Sequence, residues 1–104
     1  NDVLKNLTDT IKQRRDSTSA KSYTASLIQS GINGCSQKFG EEAIELIIAA
    51  TNENLDNFNS EVADVLYHLL VLIEMKNSNL SKILDILAQR QTLSGHAEKI
   101  NRKG

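Results

Sequence analysis

The 104-residue sequence predicts an all-α fold of about five helices, on three observations. Proline is absent, aromatic residues make up 4%, and Leu, Ile, Ala, Glu, Lys and Gln are abundant, a composition that favours helices over strands. Apolar residues recur at three- and four-residue spacing in several separate stretches. Between those stretches stand hydroxyl, Asn and Gly residues that cap or stop helices.

The first helix is expected from about Val3 to Arg15, with Val3, Leu4, Leu7 and Ile11 on one side and Lys12, Arg14 and Arg15 in the last turn, where cations suit the dipole. The polar stretch Asp16 to Lys21 ends it. Ser22-Tyr23-Thr24 then offers hydroxyl caps for a short helix that stops near Gly31, since glycine tolerates the left-handed turn after a helix. A long helix from about Ile32 to Thr51 follows, then a polar turn over Asn52 to Asn57. The longest helix is expected from Phe58 to about Met75, stopped by Lys76-Asn77-Ser78-Asn79. Ser81 is the expected cap of a last helix through about Thr92, with Ile83, Leu84, Ile86, Leu87 and Leu93 as its apolar side and Gly95 closing it. The polar, basic tail 95–104 is expected to be mobile unless a ligand or partner orders it.

Residues 1–104 amount to one domain, because no linker, repeat or low-complexity tract divides them. Twelve basic against thirteen acidic side chains give a net charge of −1, which removes the broad basic field of a nucleic-acid binder. The longest apolar runs, Leu46–Ala50 and Leu69–Ile73, are far short of the roughly 20 residues that cross a bilayer. The opening Asn1-Asp2-Val3 shows no secretory leader pattern, and a first residue other than Met is compatible with an upstream segment, removed or fused. A lone Cys35 can form neither an internal disulfide nor a multi-cysteine zinc site, so a reducing, cytoplasmic setting is expected. So small a domain has a marginal core, and oligomerisation is a natural remedy.

The two central helices are apolar nearly all round. From Ala43 to Ala50 the exception is Glu45, and from Val62 to Ile73 the exceptions are Asp64 and His68. Such helices are expected to be buried on every side, in a bundle or at a subunit contact, which would place their acids where water is scarce. At roughly 100° per residue, Glu61, Asp64 and His68 share one face, and Lys38, Glu41, Glu42 and Glu45 share one face of the other helix. A short turn makes the two helices antiparallel, so Glu42-x-x-Glu45 can meet Glu61-x-x-Asp64. Four facing carboxylates are costly without a counter-ion. All-oxygen ligands select Mg²⁺, with Mn²⁺ as a substitute, and Mg²⁺ held this way leaves positions open for substrate phosphates. The expected chemistry is attack of water on phosphorus, with Glu41 or Glu45 orienting or deprotonating that water. The alternative is an ordinary solvated acidic face.

Several segments carry a resemblance: Arg14-Arg15, Ser22 to Leu27, Lys38-Phe39-Gly40-Glu41-Glu42, Glu61 to Leu70, and Ser94-Gly95-His96-Ala97-Glu98-Lys99. On these the chain resembles the phosphoribosyl-ATP pyrophosphatase family, within the all-α NTP pyrophosphohydrolase superfamily of MazG-like bundles. The resemblance implies hydrolysis of phosphoribosyl-ATP to phosphoribosyl-AMP and pyrophosphate, the second step of histidine biosynthesis, with Mg²⁺ and a homodimer. It also implies a pathway link or fusion to phosphoribosyl-AMP cyclohydrolase. One departure is Ala97, where the family usually has an acid.

The candidate residues have competing readings. Ser22, Tyr23 and Thr24 can contact ribose or phosphate, or cap a helix. Lys38 can hold a phosphate, assist catalysis, or neutralise Glu42 one turn on. Arg14 and Arg15 can bind substrate or serve as last-turn cations. His68 is expected to support Asp64 by a hydrogen bond rather than act as a ligand. His96 and Lys99 belong to a tail that the resemblance implies folds over bound nucleotide. Cys35 is expected to be packing, and Gly40, costly inside a helix, points to close helix approach or substrate access. The rival functions are a house-cleaning NTP or dUTP pyrophosphatase and a non-enzymatic helical oligomerisation module.

Overall fold

The structure, a computed structural model, describes residues 2–16, 22–52 and 54–92. Five helices follow in order: α1 (Val3–Asp16), α2 (Tyr23–Gln29), α3 (Gly31–Asn52), α4 (Leu55–Met75) and α5 (Leu80–Gln91). No strand occurs among the described residues, and none of their helices is long and apolar enough to cross a membrane.

The caps explain where the expected boundaries moved. Ser22 caps α2 as expected, its hydroxyl accepting from the Ala25 amide at 3.0 Å. Helix α4 starts at Leu55 rather than Phe58, because Asn54 accepts from the Asn57 amide at 2.9 Å and Asp56 suits the positive end of the dipole. Helix α5 starts at Leu80, because Asn79 and not Ser81 supplies the cap, bonding the Lys82 amide at 3.0 Å. Gly31, at φ +79°, makes the left-handed step between α2 and α3. The tightness of that corner appears three residues on, where a Cβ at Gly34 would lie 2.2 Å from the Ser30 hydroxyl oxygen.

Helices α3 and α4 form an antiparallel hairpin that is the backbone of the domain. Helices α1 and α2 pack on one end of it, and there Ile11, Leu27, Cys35, Leu70 and Val71 form the buried core. Leu7, Ile28, Tyr67, Ile73 and Leu80 pack against that cluster. The Cys35 thiol sits inside it, bonded to the Leu27 carbonyl, and burial pushes its pKa up; it is packing, as expected.

Burial on every side of the central helices is not met within one chain. Ile44, Ile47 and Ile48 share a face of α3 and are exposed, Ile47 to 65%, as is Leu66 on α4. Helix α5 buries no residue, and Leu84, Ile86 and Leu87 are about half exposed. The hairpin therefore carries apolar surface that its own chain leaves uncovered.

The end of α4 is held by a clasp. Lys76 and Asn77 close the helix, with Asn77 at φ +58°, its amide on the Glu74 carbonyl and the Ser78 amide on the Ile73 carbonyl. These are the two hydrogen bonds of a Schellman turn. From α1, Arg15 donates to the Glu74 carbonyl at 3.0 Å and to the Asn77 side chain, and its guanidinium lies 3.6 Å from the buried Glu74 carboxylate. Arg15→Ala is expected to cost about 1–3 kcal/mol, since Glu74 would lose its cation while Arg15 itself is partly screened by water. Urea unfolding would read the loss, and an unchanged midpoint would show that the clasp adds nothing.

Candidate active site

The hairpin register brings acids of the two central helices together, as the spacing predicts, with one difference. One carboxylate oxygen from each of Glu42, Glu45 and Glu61 lies within 4.8 Å of the other two. Asp64, one turn beyond Glu61 and exposed, stands outside this trio. Nor is water equally scarce at all four acids. Glu42 is buried, at 8% exposure, and Glu61 half-buried, whereas Glu45 and Asp64 reach solvent.

Electrostatic crowding marks the trio. The hydrogen bond that Glu45 shares with Glu42, then the Glu42 charge, loss of surrounding water and the Glu61 charge, raise the pKa of the Glu45 carboxyl. The cation at hand is Lys38, 3.5 Å from Glu42 and 3.8 Å from Glu41, its own pKa raised by Tyr23 and Glu42. The second Glu42 oxygen is buried with no hydrogen-bond partner among the described residues. A buried carboxylate oxygen left in that state is costly, and an all-oxygen donor set fits a hard divalent cation.

Beside the trio runs a groove of about 280 Å³ between α2 and α3, lined by Tyr23, Ser26, Leu27, Ser30, Gly34, Gln37, Lys38 and Glu41. Ser26, Ser30 and Gln37 were not singled out by sequence reasoning. The signal was present: 23, 26, 27 and 30 share one face of α2, and 34, 37, 38 and 41 share one face of α3. Glu41 is engaged on both sides, by the Gln37 amide at 3.2 Å and by Lys38.

The remaining candidates scatter. Ser22 caps α2, and Thr24 hydrogen-bonds the Tyr67 hydroxyl, so both have partners within the chain. Tyr23 faces His68, which is buried and bonds the backbone carbonyl of Asp64, one turn back as expected, but not its carboxylate. Arg15 is committed to the far end of α4, and Arg14 is exposed in the last turn of α1. Glu74 is ten residues from Asp64, roughly 15 Å along the helix, so Arg15 is not brought to the acids within one chain. His96 and Lys99 lie outside the described residues. At Gly40 a Cβ would meet nothing within 4 Å, so close packing inside the chain does not account for that glycine.

A helical hairpin that gathers carboxylates beside a groove of hydroxyl, amide and ammonium groups has the chemistry that an all-α hydrolase of phosphoanhydrides needs. Comparison with known proteins narrows the class. The model of the family described as phosphoribosyl-ATP pyrophosphohydrolase matches residues 4–91. The chain is 45% identical over 100 residues to the phosphoribosyl-ATP pyrophosphatase of Ruegeria sp. (strain TM1040), covering 96% of this chain and 95% of that protein. It is 44% identical over 99 residues to the protein of the same name from Jannaschia sp. (strain CCS1), covering 95% and 97%. To phosphoribosyl-ATP pyrophosphatase 1 of Rhodopseudomonas palustris it is 42% identical over 101 residues, covering 97% and 94%. The chain belongs to the phosphoribosyl-ATP pyrophosphohydrolase family.

Proposed function

We propose that this protein hydrolyses phosphoribosyl-ATP to phosphoribosyl-AMP and pyrophosphate, the second step of histidine biosynthesis. The observation that carries the reading is the buried, partnerless oxygen of Glu42 inside a carboxylate trio that stands beside a groove carrying hydroxyl, amide and ammonium groups. Glu42, Glu45 and Glu61 would hold Mg²⁺, or Mn²⁺ in its place, with Asp64 turning in as the fourth acid. When bound, that ion supplies positive charge to the pyrophosphate oxygens.

The protein's own groups do the rest. Lys38 meets a phosphate oxygen, and the Glu42 carboxylate 3.5 Å away favours its ammonium form. Glu45, whose pKa is raised by its hydrogen bond to Glu42 and by the Glu42 charge, accepts the proton of the water that attacks phosphorus as the α–β phosphoanhydride bond breaks and pyrophosphate leaves. Glu41 is the weaker candidate for that task, since Gln37 and Lys38 already occupy its oxygens.

The functional particle is a homodimer in this reading. The exposed Ile44, Ile47 and Ile48 face supplies the surface, and a groove of about 280 Å³ is small beside the 300–1,000 Å³ of typical ligand sites, which favours a wall from a second copy. A reducing cytoplasm suits the lone Cys35.

Pyrophosphate release from phosphoribosyl-ATP, ATP, dUTP and dCTP, each with magnesium and with chelator, tests the reading. Strong preference for phosphoribosyl-ATP that chelator abolishes is expected. Turnover of the ordinary nucleotides alone, or of none, would overturn it.

A further inference from the structure

The His68 ring is buried to 4% exposure, and both of its nitrogens are engaged. Its Nδ1 lies 2.7 Å from the Asp64 backbone oxygen, and its Nε2 lies 3.0 Å from the Tyr23 hydroxyl. A carbonyl oxygen can only accept, so Nδ1 must carry a hydrogen. With the ring's hydrogen on Nδ1, Nε2 has a lone pair to offer, and Tyr23 donates to it across 3.0 Å. The phenol has one proton, and this contact uses it.

The Tyr23 ring is otherwise open to the groove, at 55% exposure, and lines it together with Ser26, Gln37 and Lys38. Tyr67 and His68 pack edge-on to one another, with ring centroids 5.0 Å apart, and Tyr23 stands over both, which fixes the direction of its hydroxyl. Burial keeps the phenol protonated, its pKa raised above the usual tyrosine value.

We propose that His68 is a positioning residue that takes the only proton of Tyr23, so that the phenol oxygen meets the nucleotide as a hydrogen-bond acceptor. Its partner is then a donor on the sugar or base, a ribose hydroxyl or the exocyclic amine, and not a phosphate oxygen, which has no hydrogen to give. The inference rests on the proposed nucleotide site, and it assigns the groove at Tyr23 to the nucleoside end and the Lys38 side to the phosphates.

Equilibrium binding of ATP and of inorganic tripolyphosphate to the wild-type protein, Tyr23→Phe, His68→Gln and His68→Leu tests it without relying on turnover. Tyr23→Phe is expected to weaken ATP about five- to tenfold and tripolyphosphate by no more than about twofold, the size of one net hydrogen bond. His68→Gln keeps an acceptor near the Nε2 position and is expected to bind ATP within about threefold of wild type, while His68→Leu resembles Tyr23→Phe. Arms with 2′-deoxy-ATP, 3′-deoxy-ATP and ITP identify the donor: the analogue that lacks it loses affinity in the wild type and loses nothing further in Tyr23→Phe. Nitrogen NMR of the histidines is expected to show the Nδ1–H tautomer of His68, with Tyr23→Phe shifting Nε2. An Nε2–H tautomer, equal weakening of ATP and tripolyphosphate, or no weakening of ATP would overturn the proposal. Absence of phosphoribosyl-ATP hydrolysis would instead strike the functional reading, since these binding differences are measured independently of it.

Discussion

Glu45→Gln is expected to lower turnover at least about a hundredfold while leaving the helix content intact, and to raise the melting temperature of the cation-free protein. The amide keeps the shape of the side chain and removes both a cation ligand and the proton acceptor; loss of general-base action alone is worth roughly 10²- to 10⁴-fold. The stability gain follows from the crowding. Glu42, through its hydrogen bond and its charge, raises the Glu45 pKa, so the folded protein binds that proton more tightly than the unfolded chain does. Stability from this group is therefore intact at pH below the ordinary carboxylate range and falls as pH rises toward and through the raised value. The advantage of Glu45→Gln should be present at neutral pH and close near about pH 4, where both states carry the proton. Added magnesium should stabilise the wild-type protein by linkage and the variant less. Steady-state pyrophosphate release and melting curves at two pH values, with and without magnesium, read all of these. Near-normal turnover would remove Glu45 from the site, and a lower cation-free melting temperature would show that the acids are not in conflict.

The second large effect is expected at Ile47. In a symmetric dimer built on the α3 face, each substitution occurs twice, so Ile47→Glu would place two carboxylates in an apolar contact. Several kcal/mol per buried charge is the usual cost. At about 1.4 kcal/mol for each factor of ten, dissociation should strengthen by about a thousandfold or more. Sedimentation across a concentration series would show it as a shift from dimer to monomer, accompanied by lost activity if a second copy walls the groove. An unchanged dimer would move the interface elsewhere, with the Leu84, Ile86 and Leu87 face of α5 next to be tried.

The parts of this molecule that sequence exposes are those governed by short-range periodicity. Five helices, the Ser22 cap, the Gly31 step and the facing of Glu42 and Glu45 toward Glu61 all follow from spacing within one helix or across one short turn. The missed starts of α4 and α5 share a cause. Asparagine is both a loop residue and a strong cap, and Asn52 to Asn57 reads as a polar turn until Asn54 is seen bonding the Asn57 amide. Long-range polar partners leave no such trace. Arg15 reaches Asn77 across 62 residues and Tyr23 reaches His68 across 45, and each residue also has a plausible local role. Burial was overstated because the apolar pattern of Ile44, Ile47 and Ile48 records a covered face without saying which chain covers it.

The empty space around Gly40 makes that residue a gauge of what approaches α3 during work. A methyl group fits there in the isolated chain, and alanine is the better helix former by about 1 kcal/mol. Gly40→Ala should therefore toughen the lone subunit, and any penalty it imposes on assembly or turnover measures how near another body comes to that point of the helix.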